Sequence, residues 1–148
     1  MINFLIWICQ KISIWQKNIF NYAYTLGILR TFEIEGFIMN FYIGNSIDEI
    51  NKQEYNVEFN DELIGFIYKL SEKVPFDMHK LYEINPYDDV KISKDDLEHI
   101  IQICNYILDN ELLRGYEERD EGNQALKALL ELAQKALLRG LGLISVGD

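Results

Sequence analysis

The sequence predicts an α+β domain of about three helices packed on a small sheet. Three stretches repeat apolar residues at i, i+3, i+4 and i+7, the pattern of a helix with one buried face. Two short runs rich in aromatic or branched apolar residues, near 40–43 and near 141–146, read as strands able to pair with each other. The chain has 148 residues, 49% of them apolar, which is enough for one domain with a buried core and little more.

The elements follow in order. Asn40-Phe41-Tyr42-Ile43 is an opening strand stopped by Gly44. Asn45–Glu54 is polar and reads as a loop with room for one helical turn. Asn60 is a good N-cap, and Asp61 and Glu62 suit the positive end of a helix dipole. Leu63, Phe66, Ile67 and Leu70 then form the first stripe, closed before Pro75. Asn85-Pro86 marks a turn, and Val90-Lys91-Ile92 a short extended piece. Ser93 with Asp96 three residues on is a capping arrangement for a second helix. Its stripe is Leu97, Ile100, Ile101, Cys104, Ile107 and Leu108, and it runs to about Leu113, ahead of Gly115. Gly115–Gly122 reads as an acidic loop. Asn123 is expected to cap a third helix over Gln124–Arg139, with Gly140 just past its end. The apolar tail Leu141–Val146 is the closing strand, paired with Phe41–Ile43 in an antiparallel or mixed sheet.

Charge divides the chain. The net charge is -10, yet residues 1–38 carry three basic and two acidic residues. Residues 39–148 hold 11 basic and 22 acidic residues, a net charge of -11. Both Trp fall in the first segment, and both Pro and both His in the second. No apolar run in the first segment reaches the roughly 18 residues needed to span a membrane, and no basic stretch precedes Ile2–Cys9 as in a secretory signal. Its apolar residues fall all round a helix rather than on one face, which counts against a surface-lying amphipathic helix. The expectation is that residues 1–38 are a non-native or poorly structured leader and that Met39 is the true start. Glu35-Gly36 can be encoded by a ribosome-binding sequence two codons ahead of Met39. The single domain is then 39–148.

Acidity excludes whole classes of partner. Nucleic acid is bound mainly by Lys and Arg neutralising phosphates, and anionic membrane surfaces attract basic segments. Two Cys and two His cannot build a disulfide framework or a multi-ligand zinc site, so neither cofactor nor metal is expected. There is no Ser-His-Asp spacing, nucleophile elbow or glycine-rich phosphate loop. An enzyme is therefore not expected. Cys104, on an apolar stripe, is expected to be a buried structural thiol. His79 and Lys80 sit among Phe76, Tyr82 and Tyr87; exposed aromatics there suit interface anchors, but partial packing on the sheet is the stronger expectation.

Two clusters remain as candidate sites. Asp88 and Asp89, with His79 upstream, carry the residue types of a metal or acid–base pair, but beside Pro86-Tyr87 they fit turn formation better. Glu117, Glu118, Asp120 and Glu121 fit a solvated loop, and they gain a role if the partner is basic.

The run Leu81-Tyr82-Glu83-Ile84-Asn85-Pro86-Tyr87-Asp88-Asp89, then Ile92, then Leu97, resembles the L-x-x-I-D-P-Y-x-D segment of small bacterial immunity-type proteins from polymorphic toxin systems. The terminal Val146-Gly147-Asp148 is similar to the ending of many of them. This chain departs in having Asn85 for the usual Asp and Asp88 where Gly is commoner. The resemblance implies an α+β cytoplasmic protein that binds and neutralises a toxin. On that reading Tyr87, Asp88, Asp89, Glu117, Glu118, Asp120 and Glu121 are the candidate partner-binding residues, and the partner is a cognate toxin, which the acidic residues suit if it is basic. The alternative is a small ligand-binding or regulatory accessory domain with a ligand held between sheet and helices.

Overall fold

A computed structural model describes residues 36–147. The expectation of a leader therefore falls almost wholly outside the described residues. The α+β architecture is as the sequence predicts. Strand β1 (Ile38–Ile43) is followed by β2 (Val57–Asn60), α1 (Asp61–Ser71), the short α2 (His79–Tyr82) and β3 (Val90–Ile92). Then come α3 (Lys94–Asp109), a 3-10 turn (Leu112–Gly115), α4 (Arg119–Leu138) and β4 (Leu143–Val146).

The sheet is antiparallel throughout, with strand order β2-β1-β4-β3. The expected pairing of the first and last strands forms its centre, with Tyr42 opposite Ile144 and Ile43 opposite Leu143. Two further strands flank that pair. Val90–Ile92 joins β4 as one edge. Val57-Glu58-Phe59-Asn60, which sequence reasoning passed over, joins β1 as the other. Both edges are short, which limits the unpaired backbone they offer to other chains. Strand β1 starts one residue ahead of Met39, and the Phe37 carbonyl accepts a hydrogen bond from the Asp61 amide at 3.0 Å.

Alternation along the strands sends Met39, Phe41, Val57, Phe59, Ile92 and Leu143 to one face, where they join the helices in the core. The helices contribute Leu63 and Ile67 from α1, Leu97, Ile100 and Ile107 from α3, and Leu126, Leu129 and Ala133 from α4. Ile103 and Leu132 are buried as well, although the stripes read from sequence omit them. Cys104 is fully buried, and burial pushes its thiol up to about 12.

The caps at Asn60 and Ser93 form as the sequence predicts. Asn60 Oδ1 accepts from the Leu63 amide at 2.8 Å, and Ser93 Oγ accepts from the Asp96 amide at 3.3 Å. Gly140 takes the left-handed conformation at the end of α4, with φ +68°. At the end of α3 that role falls to Glu111, a non-glycine residue at φ 49°.

Two expectations are corrected. The stretch Gly115–Gly122 is not a loop throughout, and Asn123 is not a cap. Helix α4 begins at Arg119 with Glu118 as its N-cap, and Asp120 and Glu121 lie in its first turn. Acidic side chains are favoured there by the helix dipole. Gly122 is helical because it is packed: a Cβ at this position would come within 2.9 Å of Leu113 Cδ1 and 3.1 Å of the Tyr116 ring. Phe76 and Tyr82 are partly buried against the core, and each meets an aromatic ring on a helix. Phe76 stacks on Tyr106 of α3 at 4.4 Å, and Tyr82 meets Tyr68 of α1 edge-on at 5.3 Å.

Candidate functional site

The register places four element ends together. Ile38 at the start of β1 pairs with Asn60 at the end of β2, and Val90 at the start of β3 pairs with Ser145 near the end of β4. Strands of alternating direction thus bring the turn before β3 and the start of α1 to the same end of the sheet. The turn carries Tyr87, Asp88 and Asp89, and α1 begins with Asp61 and Glu62.

Local hydrogen bonds fix the turn. Asn85 Oδ1 accepts from the Tyr87 amide at 3.0 Å, and Asp88 Oδ1 accepts from the Asp89 amide at 2.9 Å. Gly147 lies directly against it, since a Cβ there would sit 2.7 Å from the Asp88 nitrogen. Tyr87 is 62% exposed, with its ring edge-on to Phe37 at a centroid distance of 4.5 Å. Asp88 and Asp89 are exposed. His79, read as their possible metal-binding companion, instead has its Nδ1 2.6 Å from Asp77 Oδ1. The Asp77 carboxyl is held below its usual range, first by the His79 amide and then by the His79 ring. Among the described residues no group of three His, Cys, Asp or Glu is placed to hold a metal.

The second cluster reaches the same end through Tyr116. Its hydroxyl donates to Asn60 Oδ1 at 3.5 Å, and its ring meets Phe66 at 5.2 Å. Partial burial raises its pKa. Beyond Tyr116, a shallow depression of about 290 Å³ is lined by Arg114, Tyr116, Glu117, Arg119, Asp120 and Glu121. Here the acids are partly neutralised. Arg114 pairs with Glu111, and Arg119 Nε lies 3.4 Å from Asp120 Oδ1. Glu117 and Glu118 are exposed. The lining is polar and open, unlike the enclosed apolar pockets that hold small ligands.

The two sequence-nominated clusters therefore adjoin one end of the sheet, joined through Phe37, Asp61, Asn60 and Tyr116. Among the described residues, no ion pair involves Asp61, Glu62, Asp88, Asp89, Glu117, Glu118 or Glu121. Sequence reasoning missed Asp61 and Glu62 as members of this surface, having assigned them only to the helix dipole. It also missed Phe37, which it placed in the leader. Recognising the β1–β2 pairing would have exposed both. Among the described residues, no helix is long and apolar enough to cross a membrane. Compared with known protein families, curated proteins and solved structures, the chain gives no match.

Proposed function

We propose that this chain is a non-enzymatic binding protein of the bacterial immunity type, neutralising a cognate toxin by direct contact in the cytoplasm. The observation that carries the reading is that seven carboxylates of the two clusters and the start of α1 have no ion-pair partner among the described residues, with the turn and the start of α1 at one end of the sheet. Unpaired surface acids raise the encounter rate with a basic protein and set its orientation, as they do in the barnase–barstar pair. The resemblance of Leu81–Asp89 to immunity-type proteins supports the same reading from the sequence side.

The test is genetic and biochemical. The gene beside this one is expected to encode a large protein with a C-terminal toxin module. Expressing that module in a bacterial host should arrest growth, co-expression of this chain should restore it, and the two should co-purify. Continued arrest with no co-purification would remove the proposal.

A further inference from the structure

We infer that Tyr87 is the anchor of the toxin contact and that the turn before β3, rather than the depression beside α4, forms the centre of the interface. This rests on the binding function proposed above. Interfaces concentrate their energy in a few aromatic or Arg side chains at an apolar centre, surrounded by a polar rim that excludes water. Tyr87 is 62% exposed, and beside it lies Phe37, in edge-on contact at 4.5 Å. The rim is acidic, with Asp88 and Asp89 on one side and Asp61 and Glu62 at the start of α1. No ion pair among the described residues consumes these four charges. They fit a basic partner surface, whose cations would meet the rim while an apolar pocket receives the tyrosine ring.

Preorganisation favours the same residue. The Tyr87 backbone is held by Asn85, its ring by Phe37, and the turn by Gly147 at the end of β4. A side chain already fixed in the free protein loses little freedom on binding. The depression beside α4 differs in charge and in its aromatic, since Tyr116 is partly buried. It presents two Arg among its acids, and ion pairs join Arg114 to Glu111 and Arg119 to Asp120.

The experiment measures binding of the full chain to the catalytically inactivated toxin module encoded by the neighbouring gene, by titration calorimetry. Tyr87→Ala is expected to weaken binding about 30-fold or more, the loss typical of an anchor. Tyr87→Phe should stay within about threefold of wild type. Combined Asp88→Asn and Asp89→Asn should slow association and flatten its salt dependence. Combined Glu117→Gln and Glu121→Gln, at the edge of the acidic surface, should cost less affinity than Tyr87→Ala. Circular dichroism checks that each variant is folded, and Tyr87→Arg provides a second disruption that retains a long side chain. Full-strength binding by Tyr87→Ala and Tyr87→Arg, or a larger loss from the Glu117/Glu121 pair, would overturn the inference and leave the binding function standing. Failure of the wild type to bind would remove both.

Discussion

Replacing Ser145 by Ala should stabilise the domain. Ser145 lies in β4 at the sheet centre, opposite Phe41 on one side and Val90 on the other, and has no exposed surface. Its Oγ has no hydrogen-bond partner. A buried hydroxyl in that condition costs about 1–3 kcal/mol in lost hydration. Removing the oxygen leaves a void of roughly 10 Å³, which at about 24 cal/mol per Å³ costs only ~0.2 kcal/mol. Any change in β propensity lies within the roughly 1 kcal/mol that the whole scale spans. The net expectation is a gain of about 1–2 kcal/mol, or a few degrees in Tm for a domain of this size. Urea unfolding should show a higher midpoint at an unchanged slope, the signature of altered stability rather than altered compactness. A loss of about 1 kcal/mol or more would mean that the hydroxyl is satisfied, for instance by a buried water, and would refute the reasoning.

Three further expectations concern charge, conformation and reactivity. The Lys80 ammonium, 2.9 Å away, and the Ser93 hydroxyl hold the Asp96 carboxyl below its usual range. A lowered folded-state pKa adds stability that is present above the unfolded value near pH 4 and lost as pH falls through the folded value. Asp96→Asn should therefore flatten the acid limb of a stability-versus-pH curve, and an unchanged limb would count against the pair. Glu111 stands at φ 49°, where Gly is favoured, so Glu111→Gly should gain up to about 1 kcal/mol despite losing the exposed ion pair to Arg114, with thermal melts as the check. In a Cys9→Ser background, Cys104 should resist a disulfide-exchange reagent at pH 8 and react only as fast as the domain opens, because its thiol is buried and shifted to about 12. Immediate labelling of the native protein would contradict that burial.

The sequence made some elements readable and hid others for physical reasons. Helices α1 and α3 announce themselves because Asn60 and Ser93 sit directly ahead of a clean apolar stripe. The pairing of β1 with β4 follows from two apolar runs that need each other for burial. Strand β2 is only four residues long and ends in the residue that caps α1, so its alternation is too brief to stand out. The start of α4 is masked by Gly122, a poor helix former that tertiary packing against Leu113 and Tyr116 holds in place. For the candidate site, residue types were legible and their convergence was not. Tyr87 and Asp88 are 27 and 28 positions beyond Asn60 in the chain, and only the sheet register brings their segments to the same end.

The sheet order also dictates when this domain can exist. Among the described residues the two central strands are the first and the last, with Tyr42 pairing with Ile144 across about 100 residues of chain. During synthesis β1 and β2 can meet early as a two-stranded ribbon, but such a ribbon is marginal alone. Until β4 leaves the ribosome, β3 has no neighbour, and the apolar faces of three helices have only half a platform. Long-range closure of this kind slows folding. A fault in Leu143–Val146 therefore acts on the whole sheet: their loss removes both β1–β4 and β3–β4 pairings at once. The fold therefore depends on translation reaching β4, and a chain stopped before it would offer its ribbon and bare helices to proteases instead of a partner.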